Sequence, residues 1–289
     1  MSAVDVFSFA YQTADVFAFL ILSASGLAII FGMMGIINMA HGEFIAIGAY
    51  VTTYAFRAGA PLPLAIACGA LAAGLFGVLL ERLIVHRFYH RPIDSLVATW
   101  GISLILTQGS LLLLGSALPS IGTPFGSFSV GDASFSVYRV VILAVAVCAL
   151  GVLYLLFMKT TFGVHARATM QNPAMARSLG VPVNRIYSAT FGIGAAMAGL
   201  AGGIYAPTMT LSPTMGSNFV IEAFVTVVAG GADVLVGTAP AAAILAVIKA
   251  GITALYGQVF GVIGLLVAVC LVIRVLPEGL TGWIVRNRT

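Results

Sequence analysis

Hydroxyl side chains recur at helical spacing in an otherwise apolar segment. Thr99, Ser103 and Thr107 stand four residues apart, and Gln108 lies beside the last of them. Residues four apart share one face of an α-helix, so these groups would form a polar stripe. The chemistry such a stripe offers is hydrogen bonding to a passing polar solute. We therefore take the three hydroxyls as candidates for a translocation pathway.

A carboxylate stands in a second stripe of the same spacing. Asn218, Glu222 and Thr226 recur every four residues, and apolar residues follow Glu222 directly. An ionised side chain inside a membrane is costly and usually faces a bundle interior or a water-filled path. A structural hydrogen bond, or a position just outside the hydrocarbon, would explain Glu222 equally well. Glu222 is a pathway candidate with these alternatives open.

The run 35–44 interrupts two apolar segments and brings Asn38, His41 and Glu43 close together in sequence. Backbone that leaves the helix within a membrane is tolerated only where it lines a cavity or is buried in protein. An ordinary cytoplasmic turn with helix caps is the alternative, and the sequence does not decide between the two. Asn38 joins the pathway candidates.

A short helix is predicted within the segment 158–187. Asn172 is a favourable N-cap, a proline suits the first helical position, and Gly180 suits the position after the end. These signals predict a helix over 173–179 that carries Met175 and Leu179 on one face. Such a helix could dock a partner protein, whereas a solvated connecting loop is the alternative.

Motifs for enzymatic chemistry are absent from the sequence. No Gly-Lys pair occurs, so a phosphate-binding loop for ATP is excluded, and no metalloprotease or serine-hydrolase motif is present. The three cysteines stand alone in apolar sequence, which suits buried small side chains rather than disulfides or a metal site. We predict a protein that is not an enzyme and needs no cofactor.

The composition indicates a membrane protein. Hydrophobic residues make up 61% of the 289 residues and charged residues only 8%, whereas about a quarter of a soluble domain is charged. Long stretches without charge exceed the roughly 20 residues that a helix needs to cross a bilayer. The net charge of +4 comes from a few loops, so it does not indicate nucleic-acid binding.

Helices follow from this environment, because every backbone polar group in lipid needs an internal partner. We predict an all-α, polytopic membrane protein in which residues 1–289 form one transmembrane domain. The spans 43–56 and 218–231 are short enough to be re-entrant or broken, so the predicted count is eight or nine. The predicted spans are 16–36, 43–56, 62–80, 96–115, 138–157, 188–206, 218–231, 235–254 and 258–275.

Basic residues fix the predicted orientation, because cytoplasmic loops are rich in Lys and Arg. They concentrate in the segments 81–95 and 158–187 and after residue 273, whereas 116–137 and 207–217 have none. No Lys or Arg precedes Arg57. We therefore place the N-terminus outside and the C-terminus in the cytoplasm, which nine crossings would satisfy.

Several motifs resemble the permeases of the branched-chain amino-acid family of ATP-binding-cassette importers. The resemblance runs from about residue 16 to 282. Its motifs are GLAIIFG (26–32), NMAHGEF (38–44), Arg167 with Asn172, Ala176 and Gly180, AGG (229–231), GT (237–238) and LPEGL (276–280).

The resemblance implies a heteromeric importer in a bacterial inner membrane. Its other members would be a second permease subunit, two cytoplasmic ATPases and a periplasmic or lipid-anchored solute-binding protein. In such a family the segment 158–187 is the cytoplasmic coupling loop. The residues expected to contact the ATPase are Arg167, Asn172, Arg177 and Gly180.

Two stretches, RPIDSL (91–96) and ATWGISL (98–104), are similar to the branch that carries urea and short-chain amides. They predict urea or a short amide as the solute, moved by alternating access. A branched-chain amino acid is the alternative. A departure stands at Ala232-Asp233-Val234, where the family usually has a small residue and glycine after its glycine pair.

An ion-coupled secondary transporter is the competing class of function. In that case Glu222, Glu43 or His41 would bind the coupling ion, and the chain would work alone. A capped cytoplasmic helix around 172–180 has no role in such a carrier, so this segment favours the importer subunit.

Overall fold

A computed structural model describes residues 3–89, 91–231, 233–276 and 279–286. His90 lies outside the described residues, as do Ala232 of the departure after the glycine pair and Pro277 and Glu278 of the motif 276–280. The helices are α1 (Ala3–Met34), α2 (His41–Arg57), α3 (Leu62–Leu83), α4 (Pro92–Leu114), α5 (Val137–Lys159), α6 (Thr161–Gln171), α7 (Pro173–Ser178), α8 (Val183–Tyr205), α9 (Met215–Gly230), α10 (Ala239–Tyr256), α11 (Gln258–Val275) and α12 (Gly279–Arg286).

The prediction of a mostly helical membrane protein is confirmed. Among the described residues, seven helices are long and apolar enough to cross a membrane by length and composition. The two spans that looked short in the sequence form the shorter helices α2, with 17 residues, and α9, with 16. The total of eight or nine crossings depends on these two helices and stays a prediction.

A β-hairpin departs from the all-α prediction. Strands β1 (Ser127–Val130) and β2 (Ala133–Ser136) pair antiparallel in the connection between α4 and α5. Gly131 has a φ of +61° in the tight turn between them, a conformation that glycine adopts without steric cost. The hairpin escaped prediction because alternation over four-residue strands is too brief to stand out from a loop.

Helix α8 is the central element of the bundle and packs against α1, α2 and α3. Its small residues make this possible. A Cβ at Gly202 would overlap the carbonyl oxygen of Ile45 on α2, and one at Gly48 would overlap the backbone of Gly199. Without a hydrophobic driving force between helices in lipid, such close backbone approach is a main source of packing energy.

The outward faces of several helices are apolar, as a lipid solvent requires. The three cysteines lie exposed on α3, α5 and α11. Our expectation that they are buried was wrong, because in lipid an apolar side chain gains nothing by facing inward. Among the seven candidate membrane helices, α4 is covered least by the rest of the chain, since only 6% of its most apolar stretch is buried.

The segment 158–187 is largely helical. Helices α6 and α7 lie entirely within it, and α8 begins within it. Thr160 caps α6 by accepting a hydrogen bond from the backbone N–H of Gly163, at 3.2 Å. Helix α6 was missed because residues 161–171 are too polar to be read as a membrane span.

Candidate functional site

The run between α1 and α2 is buried rather than an exposed turn. Gly35 takes a φ of +63° as the chain leaves α1, and Asn38, His41 and Glu43 are all buried. The Oδ1 atom of Asn38 accepts a hydrogen bond from the backbone N–H of Ala40, at 3.0 Å, which shapes the entry into α2. Of the two readings the sequence left open, burial in protein is the one observed.

His41 fixes the start of α2 against the interior of the bundle. Its Nε2 lies 2.9 Å from the carbonyl oxygen of Ser23 on α1. A Cβ at Gly26 would lie 3.2 Å from Cε1 of the same ring and would overlap Gly194 of α8. Helix α2 therefore begins beside the interior of α1 and α8, not at their ends.

Thr99 of α4 holds the non-helical segment from the other side. Its Oγ1 accepts a hydrogen bond from the backbone N–H of Met39 at 3.0 Å and donates to the carbonyl of Ser95 at 2.8 Å. Asn38 lies next to this contact, and its Nδ2 has no hydrogen-bond partner among the described residues. Two predicted pathway residues, Asn38 and Thr99, are thus brought together.

Glu43 completes the polar stripe of α4. Ser103 and Thr107 each donate a hydrogen bond to its Oε1, both at 2.9 Å. The Glu43 residue is 4% exposed and stands in the first turn of α2, where the positive end of the helix dipole favours a carboxylate. In the described part of the chain, Oε2 accepts no hydrogen bond and no basic side chain forms an ion pair with Glu43.

Sequence reasoning singled out Glu43 but did not place it in the pathway. The four-residue spacing of the hydroxyls in α4 was visible in the sequence, but Glu43, which accepts their hydrogen bonds, stands about sixty residues earlier. The available signal was a carboxylate three residues after the break in the helix. We call Asn38, Glu43, Thr99, Ser103 and Thr107 the α2–α4 site.

Glu222 belongs to a different cluster. Its carboxylate oxygens lie 2.6 and 2.7 Å from Nζ of Lys249 on α10, and that ammonium stands 5.3 Å from the centre of the Phe19 ring. Both side chains of the pair are about one-eighth exposed, at 12% and 13%. Glu222 thus has a structural partner, the alternative that the sequence had left open.

A second ion pair lies on neighbouring helices. Arg139 at the start of α5 reaches Asp15 of α1 with an N–O distance of 2.5 Å. The hydroxyl of Tyr205 approaches the backbone oxygen of Asp15 at 3.4 Å. These groups tie α1 to α5 and α8 and do not join the α2–α4 site.

The capped helix is present where the sequence predicted it, one residue shorter, at Pro173–Ser178. Asn172 accepts a hydrogen bond from the backbone N–H of Met175 at 3.0 Å, and Gly180 has a φ of +83° after the helix end. The side chains of Met175 and Leu179 are exposed. The Nη2 atom of Arg177 donates to Oδ1 of Asn184 at 3.2 Å.

Arg167 stands apart from the other three coupling candidates. Its guanidinium donates to the carbonyl oxygen of Phe157 and lines a largely apolar cavity of about 300 Å³ between α1, α5 and α6. Asp233 and Thr281 line the same cavity. Arg167 therefore braces α6 against α5, while Asn172, Arg177 and Gly180 cluster around α7.

Metal chemistry finds no support in this part of the molecule. Across residues 3–89, 91–231, 233–276 and 279–286, no group of three or more His, Cys, Asp or Glu side chains is arranged to hold an ion. What the α2–α4 site can do is accept and donate hydrogen bonds around one buried carboxylate.

Comparison with known proteins places the chain in context. Residues 9–276 match the family described as "Branched-chain amino acid transport system / permease component". No solved structure matches significantly.

Curated relatives cover nearly the whole chain. The high-affinity branched-chain amino acid permease protein LivH of Salmonella typhimurium is 29% identical over 280 residues, 90% of each chain. A probable LivH of Methanocaldococcus jannaschii is 28% identical, covering 91% of this chain and 88% of its own. The autoinducer 2 import permease LsrD of Escherichia coli strain HS is 28% identical over 75% of this chain and 68% of its own.

Proposed function

Because the chain belongs to the family of branched-chain amino acid transport permeases, we propose that it forms the membrane path through which an ATP-driven importer passes an aliphatic amino acid. As a permease of this family it is a transport subunit and not an enzyme. The chain carries no phosphate-binding loop, so separate ATPase subunits would hydrolyse the ATP. A solute-binding protein and a second permease subunit would complete the importer.

The observation that carries the choice of solute is the carboxylate of Glu43. It is buried, receives two hydroxyl hydrogen bonds, and forms no ion pair within the described residues. A zwitterionic amino acid brings an ammonium group that would neutralise this charge, and charge-assisted hydrogen bonds are the strong ones. A neutral solute such as urea would leave the carboxylate uncompensated.

Residues 91–104, whose sequence predicted urea or a short amide as the solute, give weaker support for that choice than Glu43 gives for an amino acid. Arg91 and Asp94 form an exposed ion pair of 2.9 Å at the start of α4, and Trp100 and Leu104 are exposed as well. Of residues 91–104, Thr99 and Ser103 belong to the α2–α4 site. The named relatives also favour the branched-chain amino acid over the amide.

The α2–α4 site supports transport by alternating access. Helix α2 starts within the bundle, and half-helix starts in transporters face their solutes. Helix α4 is covered so little by its own chain that a second permease subunit would complete the path beside it. The exposed apolar side chains of α7 would seat on the ATPase, and Arg177 and Gly180 would shape that contact. We propose that α7 lies in the cytoplasm and the N-terminus outside, as the distribution of basic residues favours.

ATP-dependent uptake tests the proposal directly. Proteoliposomes holding this permease with its co-purified partners would be supplied with labelled leucine, acetamide or urea. We expect leucine to accumulate only when ATP is present, and unlabelled isoleucine to compete. Uptake of urea or acetamide with leucine excluded would overturn the choice of solute. Gradient-driven uptake by this chain alone would overturn the importer itself.

A further inference from the structure

A polar cavity of about 430 Å³ opens between the end of α3 and the start of α8, beside α7. None of the residues that line it belongs to the α2–α4 site, and it plays no part in the proposed pathway. The side chains that matter here are Glu81, Arg82, Tyr89, Arg177, Arg185 and Ser188.

The base of the cavity is a fully occupied carboxylate. Glu81 is 2% exposed, and its two oxygens accept hydrogen bonds from the hydroxyls of Tyr89 and Ser188. Burial, followed by the hydrogen bond to Glu81, raises the pKa of Tyr89, so this phenol stays protonated and remains a donor. Each oxygen of Glu81 therefore has a hydrogen-bond donor within the wall of the cavity.

The rim is cationic. Arg82, Arg177 and Arg185 line the mouth and are exposed. None of the three forms an ion pair with a carboxylate in the described part of the chain. Three guanidinium groups thus face one internally satisfied carboxylate, so the opening attracts an anion. Arginine matches the oxygens of a phosphate particularly well.

An apolar track leads to this mouth along α3. Leu71, Leu75, Leu79 and Leu83 follow at four-residue spacing and are all exposed, by 65%, 72%, 52% and 56%. Four-residue spacing places them on one face of the helix, and Arg82 stands beside the last of them. A basic opening at the end of a lipid-facing apolar stripe is complementary to a phospholipid. The opening would hold the anionic headgroup, and the stripe would contact the acyl chain.

We propose that this cavity binds the phosphate headgroup of an anionic phospholipid, whose acyl chain lies along the leucine stripe of α3. Basic pockets at the ends of membrane helices hold such headgroups. An acidic side chain of a partner protein would satisfy the arginines but would not use the apolar stripe of α3. Only the assignment of this lipid to the cytoplasmic leaflet rests on the proposed function.

Lipid retention by the purified permease complex tests the proposal. The complex would be placed in nanodiscs of phosphatidylcholine and phosphatidylglycerol, extracted gently, and examined by native mass spectrometry for the lipid that stays bound. We expect phosphatidylglycerol to be retained preferentially, and Arg82→Gln with Arg185→Gln to weaken that preference about 30-fold, since each basic group near a lipid surface contributes about fivefold. Arg87→Gln is the matched control, an exposed arginine of the same connection outside the cavity.

Two additions separate the sources of the phosphate. Soluble glycerol phosphate in excess should not displace the lipid, and Leu75→Ser with Leu79→Ser should lower lipid retention while the arginines are intact. Equal displacement by the soluble anion would make the ligand a free phosphate and overturn the proposal. Unchanged lipid retention in the double arginine variant, with loss of the ATPase on purification, would make the cavity a protein interface. Because retention is read without transport, failed leucine uptake would leave this inference standing.

Discussion

At the scale of single residues, the most informative group is Glu43, since its chemistry depends on what neutralises it. Two hydroxyls stabilise its Oε1, and the start of α2 adds a favourable dipole. Those contacts make an ionised carboxylate tolerable in the bundle, and they leave its second oxygen for a cationic ligand.

Glu43→Gln should separate charge from shape. The amide keeps the size and can still accept from Ser103 and Thr107, but it no longer attracts an ammonium group. We expect leucine uptake to fall at least tenfold, because a hydrogen bond between charged groups contributes about 1.5–3 kcal/mol. Rates would be measured in proteoliposomes at saturating ATP.

Ser103→Ala is the matched variant for Glu43→Gln. It removes one of the two hydroxyl donors and keeps the charge, so a smaller loss of uptake is expected. Equal leucine uptake by Glu43→Gln and the unmodified protein would show that Glu43 does not bind the solute.

The Glu222–Lys249 pair leads to a prediction about stability rather than transport. Removing one partner of a poorly exposed ion pair strands the other charge, at a cost of roughly 3–5 kcal/mol for a buried pair. Lys249→Met should therefore lower the melting temperature of the purified protein markedly. Glu222→Gln combined with Lys249→Met should recover most of that loss, and absence of recovery would contradict a simple pair.

At the scale of elements, helix α7 is held by few contacts and depends on its cap. Asn172→Ala removes the bond to the Met175 N–H and should cost about 1 kcal/mol of local helix stability. If α7 docks on the ATPase, transport and solute-stimulated ATP hydrolysis should fall together. Asn172→Asp keeps a capping oxygen and should retain both activities, whereas normal coupling in Asn172→Ala would remove the docking role.

The contact between α2 and α8 yields a packing prediction. Gly202→Ala would drive a methyl group into the Ile45 carbonyl, so the helices must separate at a cost of at least about 1–3 kcal/mol. Gly151→Ala on α5 is the control, because a Cβ there meets nothing within 4 Å. Thermal unfolding of both variants should show a lower melting temperature for Gly202→Ala alone.

Element by element, the sequence was a good guide where apolarity decides the outcome. All nine predicted spans correspond to helices, and α7 was located by its cap. Sequence patterns did not reveal α6, which is a short and comparatively polar helix. They also did not reveal the hairpin over 127–136. Polar partners were harder still: Glu43 and its hydroxyls, or Glu222 and Lys249, meet only because the bundle brings distant helices together.

At the scale of the whole molecule, the described helices sort into a well-packed centre around α8 and a sparsely covered α4. The centre relies on glycine contacts that tolerate little rearrangement. Helix α4 is joined to α2 and the segment before it by hydrogen bonds that Ser103 and Thr107 donate to Glu43 and by one that Thr99 accepts from the Met39 N–H. The described helices therefore form one closely packed centre and one sparsely covered helix whose contact with α2 is polar.

The contact between α4 and α2 couples opening of the α2–α4 site to the affinity of Glu43 for a cation. Any displacement of α4 away from α2 takes the acceptor from the Met39 N–H and both donors from Glu43 in a single movement. When α4 is separated from α2, water must therefore solvate the Glu43 carboxylate. When the two helices are in contact, Ser103 and Thr107 already hold that carboxylate in place. By thermodynamic linkage, a cation that binds Glu43 more tightly with those donors in place favours closure, and opening weakens its binding by the same factor.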